Sequence, residues 1–146
     1  MEIVTKDELV LKAREVKEKL ESVPRGIGAI ILKLSGELGA GKTTFTQALA
    51  ECYGITEKVL SPTFILARVH DIENDARFTR LVHIDAYRLK NADELTTIGW
   101  DEYVKDDTTL IVLEWPEKVA EKIAYSKHAI VFTHDNEQTR GIEMNL

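Results

Sequence analysis

One segment of the sequence combines the residue types and spacing that bind phosphate groups. Residues 36–43 read Gly-Glu-Leu-Gly-Ala-Gly-Lys-Thr and match the pattern G-x-x-x-x-G-K-[ST] at every fixed position. Glycines in this pattern let backbone N–H groups converge on phosphate oxygens, the lysine brings a positive charge to them, and the final hydroxyl ligates Mg²⁺. We therefore predict that a nucleotide binds, with Mg²⁺, to Glu37, Leu38, Gly39, Ala40, Gly41, Lys42, Thr43 and Thr44.

Two acidic residues end predicted strands and are candidates to bind the Mg²⁺. Glu114 follows the apolar run 110–113, and Asp85 follows the run 81–84. Ligands of open α/β sheets bind beyond the carboxyl ends of the strands, so both carboxylates are expected near the phosphate loop. A common Walker B strand ends in Asp, and Glu114 departs from that pattern. The sequence leaves open whether Glu114 or Asp85 contacts the ion, or whether either does so through water.

A short motif, Ser61-Pro62-Thr63-Phe64, presents two hydroxyl groups just before a predicted strand. Pro62 fixes one backbone dihedral and biases the residue before it toward an extended conformation, so the turn is expected to be rigid. Such a loop can sense a γ-phosphate or position an attacking water, which makes Thr63 a candidate catalytic residue. The four histidines lack metal-ligand spacing and are interpreted as strand or surface residues.

The elements that must position these motifs alternate between helix and strand. Residues 5–22 carry an apolar stripe on one helical face, with Thr5 and Glu8 spaced as a capping box. Residues 30–34 form a short apolar run typical of a buried strand, and residues 42–53 predict a helix that ends before Gly54. The phosphate-binding motif therefore lies between a strand and a helix, as its chemistry requires.

The second half of the chain predicts shorter elements. In order, they are an antiparallel hairpin of strands 64–70 and 78–84, two short helices within 91–103 broken at Gly99, a buried strand at 110–113, a short helix over 116–122, a strand at 129–132 and an edge strand at 142–144. Mixed helices and strands of this kind predict the α/β class. We expect a P-loop NTPase-like mixed β-sheet flanked by helices, in one domain over residues 1–146.

The composition limits the kinds of function. The 146 residues are 44% hydrophobic and 30% charged, with 19 Lys and Arg against 25 Asp and Glu, a net charge of −6. This acidic balance argues against DNA or RNA binding by the whole surface, so we expect any nucleic acid to meet a partner first. A single cysteine, Cys52, excludes an internal disulfide, and no uncharged run is long enough to cross a membrane. We therefore expect a cytoplasmic protein.

Missing motifs narrow the classes of nucleotide-binding protein. The sequence contains no N-K-x-D and no D-x-x-G motif, which argues against a small GTPase. A small P-loop kinase usually carries an arginine-bearing lid, and Arg77, Arg80 and Arg88 do not form a recognisable one. Two alternatives to ATP hydrolysis stay open, namely transfer of the γ-phosphate to a small molecule and nucleotide binding without hydrolysis.

Five motifs, which follow one another along the chain, resemble those of the TsaE family, formerly called YjeE. Members of this family are small bacterial ATPases of tRNA threonylcarbamoyladenosine biosynthesis. The motifs are Gly-Glu-Leu-Gly-Ala-Gly-Lys-Thr-Thr-Phe at 36–45, Ser-Pro-Thr-Phe at 61–64, His-Ile-Asp-Ala-Tyr-Arg-Leu at 83–89, the pattern Glu94, Leu95, Gly99 and Tyr103, and Leu-Glu-Trp-Pro-Glu-Lys at 113–118. The glutamate of the last motif fits the family's Leu-Glu-Trp pattern, which explains its departure from a common Walker B strand.

The resemblance implies a P-loop ATPase that joins a TsaB–TsaD heterodimer and meets tRNA only through that complex. In the family, ATP hydrolysis supports repeated turnover of the complex. The complex puts a threonylcarbamoyl group on the adenosine beside the anticodon of tRNAs that read codons beginning with A.

The resemblance also implies roles for individual residues by motif position. By this resemblance, Lys42 would hold the phosphates, and Thr43 and Glu114 would hold the Mg²⁺. Asp85 would act beside the metal or on the attacking water, and Thr63 would belong to a switch-like loop. The resemblance places Trp115 and Glu117 beside the nucleotide, and the stretch around Thr5 and Asp7 near the adenine.

Overall fold

A mixed β-sheet with helices on both faces positions the motifs. The computed structural model describes residues 1–57 and 66–146. Its strands are β1 (Glu2–Thr5), β2 (Ile30–Ser35), β3 (Ala67–Asp71), β4 (Arg80–Asp85), β5 (Thr109–Glu114), β6 (Ala129–His134) and β7 (Thr139–Asn145). Its helices are α1 (Lys6–Glu21), α2 (Lys42–Cys52), α3 (Trp100–Val104) and α4 (Ala120–Ile123), with 3₁₀ helices at Ala92–Ile98 and Pro116–Val119.

The sheet has seven strands in the order β1-β7-β6-β2-β5-β4-β3. The four inner strands, β6, β2, β5 and β4, are parallel to their neighbours within that group. The outer pairs β1–β7, β7–β6 and β4–β3 are antiparallel. This arrangement confirms the predicted mixed α/β sheet, with β2 at its centre.

Helix α1 begins where its sequence predicts. Thr5 is the N-cap, its hydroxyl accepts the backbone N–H of Glu8 at 3.2 Å, and the Glu8 carboxylate accepts the backbone N–H of Thr5 at 2.7 Å. The reciprocal pair satisfies two backbone donors that a helix start otherwise leaves unpaired. The buried residues of α1 are Leu9, Ala13, Val16 and Leu20, which repeat on one face.

The two faces of the sheet have separate apolar clusters. Along β5, Leu110 and Val112 belong to the cluster that α1 and α2 cover, whereas Ile111 and Leu113 belong to the cluster under the short helices. Successive strand residues point to opposite faces, so a strand buried on both sides is apolar at every position. This explains why the 110–113 run shows no alternation.

The end of α2 also follows its sequence. Gly54, at φ 77°, follows the C-cap residue Tyr53, and the backbone N–H of Ile55 donates to the carbonyl of Ala50 at 3.0 Å. A second bond from the N–H of Gly54 to the carbonyl of Glu51, also 3.0 Å, completes a Schellman motif.

Three differences from the predicted elements concern non-local pairing and helix type. Strand β7 is not an edge strand, because β1 pairs along its outer side with Val4 opposite Arg140. Strand β1 was not predicted, because it has only four residues and its pairing with the far end of the chain leaves no local signal. The first of the two short helices broken at Gly99 is a 3₁₀ helix. The predicted hairpin forms between β3 and β4, although residues 64 and 65 of its first predicted strand lie outside the described residues.

Within residues 1–57 and 66–146, no helix has the length and apolar character needed to cross a membrane.

Candidate nucleotide-binding site

The phosphate-binding motif forms the loop between β2 and α2, at the carboxyl end of the central strand. Gly36 opens this loop at φ 147°, and a β-carbon there would lie 2.5 Å from the carbonyl oxygen of Phe132 in β6. Only glycine combines that dihedral with that close approach. The loop lines a cavity of about 210 Å³ at the carboxyl ends of the parallel strands, where α/β proteins bind their ligands.

The cavity brings together most of the predicted site residues. Its lining includes every residue from Leu38 to Thr44, together with Asp85, Glu114 and Trp115. Glu37 contributes its backbone carbonyl, which accepts the N–H of Ala40 at 3.1 Å, and is not itself in the lining. Glu117 lies in the wall of a neighbouring cavity.

Lys42 is 5% exposed, and its ammonium lies over the phosphate loop. It donates hydrogen bonds to the carbonyls of Gly36 and, at 3.0 Å, Glu37. Its Nζ also lies 4.4 Å from the centroid of the Trp115 ring, a cation–π contact. Burial lowers the pKa of Lys42, and the negative charges of Glu114, Asp85 and Glu117 partly oppose that shift. The loop therefore holds a desolvated positive charge, and such a charge interacts more strongly with a phosphate than one in bulk water.

Thr43 and Glu114 meet although they are far apart in the sequence. The Thr43 hydroxyl lies 3.4 Å from Oε1 and 3.5 Å from Oε2 of the Glu114 carboxylate. Asp85 is opposite Glu114 in the β4–β5 register, and its Oδ1 accepts the backbone N–H of Tyr87 at 2.9 Å. Glu114 and Asp85 are 3% and 4% exposed, so both are buried at the ends of neighbouring parallel strands.

These oxygen donors fit a magnesium ion. Among the described residues no group of three or more His, Cys, Asp and Glu side chains could hold a metal. Mg²⁺ at nucleotide sites is commonly held by one or two protein oxygens together with substrate phosphates and waters. A threonine hydroxyl beside a buried carboxylate, at the first turn of the helix after the phosphate loop, has that chemistry.

Trp115 closes one side of the cavity through an unusual backbone conformation. Its φ and ψ are 58° and 51°, in the left-handed region that non-glycine residues rarely adopt. Its backbone N–H donates to the carbonyl of Leu34 at 3.2 Å, and its ring lies 4.9 Å from the ring of Tyr87, centroid to centroid. Local backbone strain of this kind clusters at ligand sites. Here it directs the indole toward Lys42.

The structure adds to the site three residues that had no predicted role there. Lys6 and Arg140 line the cavity, and the Arg140 side chain lies 3.7 Å from the position of a β-carbon on Gly41. His83, interpreted from the sequence as a plain strand or surface residue, instead contacts Glu114, with Nε2 2.5 Å from Oε2. No local spacing reveals these residues, because β1–β7 and β4–β5 pairing brings them to the loop.

Some predicted site residues lie elsewhere. Thr5 is the N-cap of α1, and neither it nor Asp7 lines the cavity within the described part of the chain, although Lys6 between them does. Thr63 and its motif lie outside the described residues.

The fold and the site together define a class of protein. A glycine-rich loop joins the central parallel strand to a helix, and a lysine, a threonine and two strand-end carboxylates surround one cavity. This is the arrangement of P-loop nucleotide-binding proteins with a mixed β-sheet.

Comparison with known proteins identifies the family. A family model described as "Threonylcarbamoyl adenosine biosynthesis protein TsaE" matches residues 6–142, so the chain belongs to the TsaE family. The Streptomyces coelicolor protein named tRNA threonylcarbamoyladenosine biosynthesis protein TsaE is 43% identical over 111 residues, which cover 75% of this chain and 71% of that one. A Bacillus subtilis protein of the same name is 38% identical over 112 residues, 77% of this chain and 66% of that one.

A solved structure supports the fold independently. The crystal structure of Bacillus subtilis YdiB superposes with a TM-score of 0.62 at 29% identity, covering 97% of this chain and 80% of that one. The resemblance predicted from five sequence motifs is thereby confirmed at the level of the family. The chain belongs to a family of tRNA threonylcarbamoyladenosine biosynthesis.

Proposed function

We propose that this chain is a Mg²⁺-dependent ATPase that supports threonylcarbamoyl modification of the adenosine beside the anticodon, in tRNAs that read codons beginning with A. The observation that carries the proposal is the convergence of Lys42, Thr43 and Glu114 on one cavity beside the phosphate loop. ATP hydrolysis needs a phosphate site and a cation site in contact, and these three side chains supply both.

The protein's own groups have separate roles in this proposal. The positively charged residues of the cavity, Lys6, Lys42 and Arg140, attract and orient the phosphates together with the backbone N–H groups of the loop. Trp115 packs against the Lys42 ammonium and limits its motion and hydration. Electrostatic preorganisation of this kind is the main contribution that a protein makes to phosphoryl transfer.

The carboxylates act at the other end of the cavity. Thr43 and Glu114 would hold Mg²⁺, which supplies positive charge to neutralise the phosphates when it is bound. Asp85 lies opposite Glu114 on the next strand, so we assign it a role beside the metal or on the attacking water. Its Oδ1 bond to the N–H of Tyr87 fixes the orientation of the carboxylate.

The acidic balance of the chain supports a role within a complex. With a net charge of −6, the protein is poorly suited to bind tRNA by itself. We therefore propose that it joins a TsaB–TsaD heterodimer in the cytoplasm, that tRNA is bound through this complex, and that the transfer chemistry belongs to TsaD.

Phosphate release from ATP and Mg²⁺ tests this function, measured for the chain alone and with a TsaB–TsaD heterodimer. We expect slow release alone and faster release with the partner. We expect a fall of about 10²-fold or more for Glu114→Gln, because Glu114 would hold the Mg²⁺ that stabilises developing charge, and loss of one such stabilising group costs about that much. Glu121→Gln is the control, since Glu121 is an exposed acidic residue of α4 that does not line the cavity.

Four results would contradict parts of the proposal. Normal turnover by Glu114→Gln would remove the metal assignment, and release that ignores the heterodimer would remove the partner. Phosphate that appears on an added small molecule instead of in solution would favour a kinase, and ATP that stays intact with Mg²⁺ and the partner would favour a binding module.

A further inference from the structure

His83 is a fully buried side chain to which the proposed hydrolysis assigns no role. It is 0% exposed, and its Nε2 lies 2.5 Å from Oε2 of Glu114. Its other ring nitrogen, Nδ1, is also buried and has no hydrogen-bond partner among the described residues. An ionised carboxylate has no proton to give, so the imidazole is the donor and carries a proton on Nε2.

The sheet register fixes this contact. His83 is paired with Val112, two residues before Glu114, and Asp85 is paired with Glu114 itself. Side chains two residues apart on a strand share a face, so His83, Asp85 and Glu114 all project from the face that α2 covers. Glu114 therefore lies between a histidine from the neighbouring strand and the Thr43 hydroxyl from the helix.

The two oxygens of Glu114 then have different surroundings. Oε2 accepts the imidazole N–H, whereas the Thr43 hydroxyl lies almost equally far from both oxygens, 3.4 Å from Oε1 and 3.5 Å from Oε2. A buried carboxylate is costly unless a donor satisfies it, and a donor on one oxygen also fixes the rotation of the group. The histidine thus holds the Glu114 carboxylate in one rotation beside the Thr43 hydroxyl.

We propose that His83 is a positioning residue that orients Glu114 for the divalent cation of the nucleotide site. The inference rests on the proposed function only in requiring that Mg²⁺ binds with nucleotide between Thr43 and Glu114. Partners that hold metal ligands in place typically contribute about 10- to 100-fold to metal affinity.

The test measures cation affinity rather than hydrolysis. Calorimetric titration of ADP into the full chain in the presence of a chelator gives the ADP affinity without metal. The same titration at a series of Mg²⁺ concentrations gives the Mg²⁺ concentration at which the increase in ADP affinity is half-maximal. We expect His83→Leu to raise that concentration about 10- to 100-fold while the metal-free ADP affinity changes by less than about twofold. His83→Gln keeps an N–H donor and is expected to recover most of the loss.

His70→Leu is a matched control. His70 is 4% exposed, and its Nδ1 lies 2.5 Å from the carboxylate of Glu57. Its Nε2 is buried and has no partner in the part of the chain that the structure describes. It reproduces the local features of His83 but does not line the nucleotide cavity. Its Mg²⁺ dependence should equal that of the wild type.

A combined variant shows whether His83 acts through Glu114. If it does, His83→Leu adds no further loss of Mg²⁺ affinity in a Glu114→Gln background, whereas independent losses would multiply. The proposal is overturned if His83→Gln and His83→Leu are equally impaired, if ADP affinity falls by the same factor with and without Mg²⁺, or if Mg²⁺ affinity is unchanged. If His83→Leu does not fold, His83→Gln alone decides. A wild-type Mg²⁺ affinity in His83→Gln supports the proposal, and a loss of Mg²⁺ affinity of about 10-fold or more in that variant overturns it.

The outcomes separate this inference from the proposed function. A wild-type chain that binds ADP with Mg²⁺ but hydrolyses no ATP, even with the heterodimer, overturns the ATPase while the His83 comparison still gives its answer. A wild-type chain in which Mg²⁺ never alters ADP binding overturns the His83 proposal itself.

Discussion

Replacement of Lys42 by methionine separates the charge of this side chain from its packing. The ammonium donates hydrogen bonds to the carbonyls of Gly36 and Glu37, and it lies 4.4 Å from the centroid of the Trp115 ring. Methionine keeps a flexible apolar chain of similar reach, so the contact with the indole is largely preserved. What the substitution removes is the positive charge beside the phosphate loop.

The expected loss follows from this geometry. A hydrogen bond to a charged group contributes about 1.5 to 3 kcal/mol, which corresponds to roughly 10- to 150-fold in dissociation constant. We expect ADP and ATP to bind more weakly by that factor. The free energy of unfolding should change less than the free energy of nucleotide binding. Methionine loses the hydrogen bonds to the two carbonyls, but it also removes the cost of burying a positive charge, the same burial that lowers the pKa of Lys42.

Lys33→Met is the control, and calorimetric titration with ADP is the assay. Lys33 is half-buried on the same central strand that precedes the loop, and its ammonium donates to a backbone carbonyl, that of Ser126, at 2.9 Å. It does not line the nucleotide cavity. An affinity for Lys42→Met within twofold of the wild type, or an equal loss for Lys33→Met, would refute the assignment of the phosphate site.

Two further predictions concern stability. Gly36→Ala places a β-carbon 2.5 Å from a carbonyl oxygen at φ 147°, so urea denaturation should show a loss of about 1 to 3 kcal/mol or more in the free energy of unfolding. The control Gly26→Ala, which meets no atom of the described residues within 4 Å, should stay within about 0.5 kcal/mol of the wild type, and equal effects would contradict the close approach. Burial, together with the positive charges of Lys33 and Lys127, lowers the pKa of His128 below its ordinary 6.5. As pH falls below about 7, the unfolded chain therefore binds a proton at His128 before the folded chain does, and the folded chain loses stability. His128→Gln should therefore lose less stability than the wild type between pH 7.5 and 5.5, and parallel curves would refute the shift.

The local elements of this fold were predictable because short-range chemistry sets them. The Thr5 and Glu8 capping box starts α1, and Gly54 ends α2 through a Schellman motif. Each depends on contacts between residues a few positions apart, so the sequence pattern carries the information. The run at 110–113 was likewise predictable, because a strand covered on both faces is apolar throughout.

The sheet edge was not predictable on the same grounds. Strand β1 has four residues and pairs with β7 near the other end of the chain. Strand β1 pairs with the strand that the rest of the sheet leaves unpaired on one side. The position of that strand depends on the whole sheet, so no local sequence pattern specifies the pairing partner of β1. The wrong assignment of β7 as an edge strand has this cause.

The sequence by itself determined the phosphate loop, its lysine and threonine, the strand-end carboxylates and the family. These features lie in contiguous motifs, and the chemistry of phosphate binding restricts which residues can stand at each position. Only the tertiary structure decided which other side chains surround them. His83 and Arg140 reach the site through pairing of strands that are distant in sequence, and the contact of His83 with Glu114 depends on a strand register that no single segment specifies.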